Sequence, residues 1–382
     1  MRSQRFHHLL VCAATALTAH SQTAQFSIVY NSVPPPFVTA FDHAADIWAH
    51  LLVSPVPIKV NVSFFPLGAN ALGITFPNGR RDFPGAPQSS TWYATSLANS
   101  IAGVELNPGE NDIDIFFSNG ADWYADTTGT PAPGQHDFVS VALHELGHGL
   151  GFVGLSKKVG ADGSLGLLLA SDFAPLTTTF PWPQLDTLPG IFDRYLNDAQ
   201  DGPLTMMPNP GTLLGGAMTG NALYFNGPIA MAMNGGQAPR IYAPGAFALG
   251  SSCVHLNEST YPAGNPNELM TPFSSAGTMN HHPGLICLAM LRDIGWNLAP
   301  GVGIEEPGPA PSFIMYPNPA DDRIVLELPS FAAHTSFVIL DAQGRVVHNG
   351  ATTTTLDVGD LAPGAYIIKL DGVGAQARFM KN

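Results

Sequence analysis

The sequence predicts an α+β domain built around a histidine-bearing helix, followed by a small all-β sandwich domain. Three observations carry this. Helix-type periodicity at Phe37–Leu52 is followed by two alternating strand segments and then by VALHELGHGLGF at 141–152. Helix, strands and a second helix in that order make a small α+β domain. A Pro- and Gly-rich stretch at 299–311 then interrupts the chain, and beyond it about seven short alternating segments crowd into residues 312–382, the pattern of a β-sandwich.

At 382 residues the chain has room for about two or three domains. It is 45% hydrophobic and only 12% charged, so it can bury a core even with 40 Gly and 34 Pro. The net charge of −14 argues against nucleic acid or an anionic membrane surface as partner. Residues 1–21 read as a signal peptide: Arg2 and Arg5 give the basic start, Leu9–Leu17 a short apolar run, and Ala19 and Ser21 the small residues of a cleavage site. No other run reaches membrane-spanning length, so no transmembrane segment is expected. Cys12 leaves with the signal peptide. Cys253 and Cys287 remain, and two cysteines in an exported protein most simply form one disulfide.

The mature chain is then taken in order, with 22–298 as the first domain. Phe41, Ala44, Ala45, Trp48 and Leu52 recur at spacings of three and four, an amphipathic helix over Phe37–Leu52. Ile58–Phe64 alternates as a strand. Pro66–Pro87 reads as irregular, and Leu97–Ala102 as a short helix. Ile113, Ile115 and Phe117 alternate as a second strand, either an ordinary sheet strand or an edge that pairs with an extended peptide. Ala121–Gln135 reads as a loop leading to a helix capped by Asp137. Residues 155–250 show little periodicity beyond a short helix near Phe192–Leu196. They are expected to fold onto the first domain as an irregular insertion.

The chemistry lies in His144, Glu145 and His148. Four residues apart on a helix, the two imidazoles share a face and can bind one ion, with Glu145 placed to take a proton from a water activated there. The plain alternative is a core helix with two hydrogen-bonded histidines. Gly149 and Gly151 mark the stop and turn of the helix. A catalytic zinc usually keeps three protein ligands and one open position, so a third ligand is needed. His255 in GSSCVHLNE, His281 and His282 are the candidates. Asp193 could ligate in principle, although a loop Asp more often caps or is solvated.

Together, residues 141–152, 250–256, 268–272 and 285–296 resemble the leishmanolysin-type metzincins, zinc metallopeptidases. In that family the HExxH helix ends in a glycine turn, and a long insertion displaces the third histidine. A methionine turn and a final helix follow. The resemblance matches His144, Glu145, His148 and Gly151 to the helix, His255 to the third ligand, Met270 in ELMTP to the methionine turn and Leu285–Trp296 to the last helix. The compact metzincin form would place the third histidine at 154, which here is Gly154. The resemblance implies a metzincin-like catalytic domain with one catalytic Zn2+ on His144, His148 and His255. Glu145 is then the general base, and Met270 packs beneath the site without ligating. No cysteine-bearing inhibitory segment precedes the domain, so latency through a zinc-bound cysteine is not expected.

The tail carries a second resemblance. Tyr316-Pro317-Asn318-Pro319-Ala320, DAQGRVV at 341–347 and GAYIIKL at 364–370 are similar to type IX secretion C-terminal sorting domains. That implies export across an outer membrane through the type IX machinery, with release or attachment at the cell surface. The alternative is an accessory sandwich that binds carbohydrate or protein. The expected function is thus a secreted zinc endopeptidase acting on extracellular protein or peptide. The other readings are a surface binding or adhesion protein with a structural metal site, and a zinc hydrolase of a non-peptide bond. Asp112, Asp114, Asp122 and Asp126 are permissive for Ca2+ but follow no calcium pattern.

Overall fold

The structure, a computed structural model, describes residues 23–68, 71–176, 186–302, 304, 314–327, 336–341, 344–351, 353–370 and 376–382. The expected signal peptide, 1–21, lies outside the described residues, as do residues 303 and 305–311 of the expected linker. The chain divides into two compact units, one up to residue 304 and one from 305 onward.

The first unit is built on a four-stranded sheet. β1 (Phe26–Asn31), β2 (Ile58–Phe65), β3 (Gly73–Pro77) and β4 (Ile113–Ser118) lie in the order β1-β2-β4-β3. The first three of that order run parallel, with Val60 opposite Ile113. β3 is antiparallel to β4, with Thr75 opposite Ile115. Alternate residues of a strand share a face, and Ile58, Val60, Val62, Ile113, Ile115 and Phe117 are buried together.

On this sheet pack α1 (Pro35–Leu51) and α3 (Phe138–Gly149), with α2 (Thr95–Ala102) between them in sequence. Prolines open α1, where a fixed φ suits the first turn and no N–H is missed. Its buried face is Phe41, Ala44, Ala45 and Trp48, the stripe read from the sequence. The Trp48 indole donates to the Leu143 carbonyl at 2.9 Å, tying α1 to α3 inside the core. Asp137 caps α3 by accepting from the Ser140 N–H at 2.8 Å. Past the end of α3, Gly151 takes a φ of +113°, a conformation that strains any residue with a Cβ. The chain turns there against Ile294.

Two expectations are corrected here. Pro66–Pro87 is not wholly irregular: it contains β3, a strand of five residues closed by Gly73 and Pro77. Ile113–Phe117 is not an edge, because β2 and β3 flank it on both sides. The edge on that side is β3, and its Ile74-Thr75-Phe76 alternation is too short to stand out between Gly and Pro.

The insertion is ordered into small pieces where it is described. A hairpin of β5 (Ser156–Val159) and β6 (Asp162–Leu165) opens it. β7 (Leu196–Asp198) pairs with β8 (Leu223–Phe225) and with residues 202–203. α4 (Thr212–Ala217) packs on β6, and α5 (Pro228–Met233) packs on α6 (Leu285–Ile294). The expected helix at Phe192–Leu196 is a single 3-10 turn, Asp193–Tyr195. An aromatic column joins the insertion to the end of α3: Phe152 to Phe192 at 4.9 Å between ring centroids, and Phe192 to Phe225 at 5.1 Å.

The expected disulfide is absent. Cys253 and Cys287 are both free and buried. Cys287 faces the core from α6, whereas the Cys253 sulfur sits 3.9 Å from the Met218 carbonyl in the insertion. Burial pushes the Cys253 thiol up to about 12, which keeps it protonated and inert. The expected linker also starts too early. Ala299 donates to Leu51, and Ile304 accepts from Arg292 at 2.6 Å, so this stretch packs on the first unit.

The second unit is all β. One sheet holds β9 (Ile314–Tyr316), β10 (Arg323–Glu327) and β13 (Thr355–Asp357) in the order β9-β10-β13. The other holds β11 (Ser336–Leu340), β12 (Val346–Ala351), β14 (Gly364–Leu370) and β15 (Gln376–Lys381) in the order β12-β11-β14-β15. Ile324, Leu326, Phe337, Ile339, Ile368 and Phe379 close one core between them.

Candidate metal centre

α3 delivers two imidazoles to one point, and the segment after the insertion delivers the third. His148 Nε2 lies 3.0 Å from His144 Nε2 and 3.1 Å from His255 Nε2, and the remaining pair is 3.2 Å apart. Among the described residues this is the one group of three or more His, Cys, Asp or Glu side chains able to hold an ion. His281 and His282 are not in it. His281 instead meets Asp137 at 2.8 Å, at the N-terminus of α3.

The other ring nitrogen of each histidine settles the protonation. His144 Nδ1 lies 2.6 Å from the Leu269 carbonyl, His148 Nδ1 2.7 Å from Phe152 O, and His255 Nδ1 2.9 Å from Ser251 O. A carbonyl only accepts, so each Nδ1 must carry its hydrogen. Each neutral ring then aims an Nε2 lone pair at the other two. Three lone pairs facing one another with no proton between them repel unless a cation sits among them. A tetrahedral zinc with bonds of about 2.0–2.1 Å sets its ligands about 3.3–3.4 Å apart, close to the separations found. The residues therefore fit such an ion. Burial lowers the pKa of all three rings, and that of His255 falls to about 3, so they stay neutral and ready to ligate.

The backbone that orients these rings is itself braced. Leu269 accepts from His144, and the next residue, Met270, accepts from the Leu256 N–H at 2.8 Å. Met270 is fully buried, and its sulfur fills the space over Gly147, where a methyl group would lie 2.8 Å away. It packs against the helix that carries His144 and His148. His255 is held by pairing with the end of the insertion: its carbonyl accepts from Tyr242, and Cys253 donates back to Tyr242, each at 2.8 Å.

Gly154, where a compact signature would carry a histidine, is packed against Asp193, whose Oδ1 would sit 2.8 Å from a Cβ there. Asp193 does not ligate. Its carboxylate accepts from the Leu155 and Gly190 N–H groups at 3.0 and 2.8 Å and so fastens the start of the insertion to its middle. Burial raises its pKa to about 7. The acidic residues considered for calcium are spent locally: Asp112 on Lys59 N and Asn99, Asp114 on Asn61, Asp122 on Gln135, Asp126 on Thr128.

Glu145 is buried on the flank of α3 that faces β3. The Thr75 hydroxyl donates to Glu145 Oε2 at 2.6 Å and also approaches the Glu145 carbonyl at 3.1 Å. Burial raises the Glu145 pKa to about 7, against the lowering effect of that hydroxyl. The histidines and Glu145 open into a cleft of about 900 Å³, walled by Gly73–Phe76 on one side and by Leu269, Pro272 and Phe273 on another. Sequence reading missed Thr75 and Gly73. The signal was the Ile74-Thr75-Phe76 alternation, and it gave no hint that the strand would face Glu145.

No curated protein matches the sequence. Two solved structures share short stretches with it: a single-mutant thermostable endoglucanase (D468A) from Alicyclobacillus acidocaldarius, at 20% identity and a TM-score of 0.14, and AaCel9A in complex with a cellobiose-like isofagomine, at 19% identity and a TM-score of 0.15. They involve 17% and 19% of this chain, which spans only 12% and 15% of theirs. Among the described residues, no helix is long and apolar enough to cross a membrane. Residues 314–379 match the secretion system C-terminal sorting domain, so the chain carries a type IX secretion tail and is exported, secreted or attached to the cell surface.

Proposed function

We propose that the exported chain is a zinc-dependent endopeptidase acting on extracellular protein, with a metzincin-like catalytic domain. The observation that carries this reading is the conjunction of three inward-facing imidazole lone pairs with one buried carboxylate in an open cleft. Structural zinc sites close their coordination with four protein ligands, whereas hydrolytic ones keep three and leave a position open.

His144, His148 and His255 would hold the ion, which when bound polarises a carbonyl and acidifies a water. The Leu269, Phe152 and Ser251 carbonyls keep the three rings in one tautomer and one orientation. Glu145 accepts the proton from the attacking water and passes it to the departing amine. β3 lies along the cleft with one edge unpaired within its sheet, and an extended peptide can add to it as a further strand. The amide bond then lies beside both Glu145 and the histidines. Secretion agrees with a substrate outside the cell.

Metal analysis and casein cleavage on one preparation of the full chain test the reading. We expect about one zinc per chain, loss of cleavage on chelation and its return with added zinc. Stoichiometric zinc with no cleavage of any protein substrate would favour a surface binding protein with a structural ion.

A further inference from the structure

A glutamate side chain has several rotatable bonds, and a general base must stay within hydrogen-bond reach of the proton it takes. Something has to fix the Glu145 carboxylate, and two features of β3 do so independently. Thr75 places its hydroxyl 2.6 Å from Oε2. Two residues earlier, on the same face of the strand, Gly73 has no side chain. A methyl group there would lie 2.5 Å from Oε1 and 2.7 Å from Cδ and Cγ of Glu145. The carboxylate therefore occupies the space where the first atom of any side chain at 73 would stand. Phe76, on the opposite face, packs against Phe116 and Phe173 and holds the strand in register.

We propose that β3 is the positioning element of the general base: Gly73 leaves the space that the Glu145 carboxylate fills, and the Thr75 hydroxyl fixes it there. This rests on the peptidase reading of the same site. Neither residue touches substrate chemistry itself; both act through Glu145. Gly73→Ala is the sharper probe. The colliding atoms belong to the Glu145 side chain and not to backbone, so a methyl group there displaces the base itself, at the cost of its hydrogen bond to Thr75.

The test uses the full chain with Thr75→Val, Thr75→Ser and Gly73→Ala, each alone and with Glu145→Ala. Misplacing a reacting group by about 1 Å lowers rates by about 10²-fold. Thr75→Val and Gly73→Ala should therefore lower kcat by about 10- to 100-fold, with KM and zinc content unchanged. Thr75→Ser, which keeps the hydroxyl, should recover most of the rate. In zinc-free protein, Thr75→Val should lower the unfolding midpoint by about 2–4 °C when Glu145 is present and by clearly less in the Glu145→Ala background, where only the backbone carbonyl at 3.1 Å is left for the hydroxyl. Unchanged kcat in Thr75→Val or Gly73→Ala overturns the proposal, as does a Thr75→Ser variant no better than Thr75→Val. An equal drop in midpoint in both backgrounds also overturns it. If Glu145→Ala cleaves as fast as the unaltered chain, Glu145 is not the base and the proposal falls with it; if the unaltered chain cleaves no protein, the peptidase reading fails instead, and the midpoint coupling alone decides whether Thr75 holds the carboxylate.

Discussion

His144 and His148 reach the centre by a different route from His255. The first two are neighbours on one helix turn, and their convergence follows from a spacing of four residues. His255 lies 107 positions beyond His148, yet its Nε2 is as near to His148 as His144 is. It gets there because the insertion is anchored at both ends. Asp193 and the Phe152–Phe192–Phe225 column fix it to the end of α3, and Tyr242 hydrogen-bonds to the backbone of Cys253 and His255. One half of the centre is therefore local and rigid, and the other half is only as good as the packing of about a hundred intervening residues. The insertion thus helps build the candidate metal site even though it contributes none of the three histidines.

Removing ligands gives the largest effects. His148→Ala and His255→Ala should each abolish stoichiometric zinc after dialysis, measured by metal analysis, because either leaves two ligands where three are needed. His281→Ala and His282→Ala should keep the ion. Phe192→Ala sharpens the comparison. It opens a cavity in a fully buried aromatic column and should destabilise the first unit by about 3–5 kcal/mol in chemical denaturation. Zinc should weaken with it, because His255 loses its support while the helix pair stays intact. Undiminished zinc affinity in that variant would mean that His255 is placed without the insertion.

Asp137→Ala acts on the local half. It removes the N-cap of α3 and the His281 contact and should lower stability by about 1–2 kcal/mol, seen as a fall in thermal midpoint with zinc retained. Asp193→Asn is the mildest change and is read through pH. The folded-state pKa of Asp193 is raised from 3.8 to about 7, so between those values the folded chain holds a proton that the unfolded chain has released. That contribution to stability is present at low pH and fades as pH rises through this window. Asn can accept both N–H groups where Oδ2 now does. It should flatten that part of the pH–stability curve and leave the protein no less stable at pH 8.

The same contrast explains what could be read in advance. The apolar stripe of α1, the Asp137 cap and the HELGH pair all obey short-range rules, and each was visible in the residues. His255 was reached only by resemblance, since no local pattern separates it from His281 or His282. Their separation is a matter of tertiary placement: His281 is occupied by Asp137. β3 escaped notice because five residues between Gly73 and Pro77 show too little alternation to outweigh two breakers. The cysteines misled for a related reason. Export argues for a disulfide, but pairing is decided by where α6 and the insertion place each sulfur, and both end as buried thiols. In the tail, regular alternation and YPNPA made both the strands and the export role legible.

Glu145→Ala is the most direct test of the central claim, with zinc content and casein cleavage measured on the same preparation. Glu145 contributes no atom to the histidine cluster, so the variant should bind as much zinc as the unaltered chain. It should lose cleavage by about 10²-fold or more, the usual contribution of a general base. Wild-type cleavage by that variant would contradict the account, whatever its metal content.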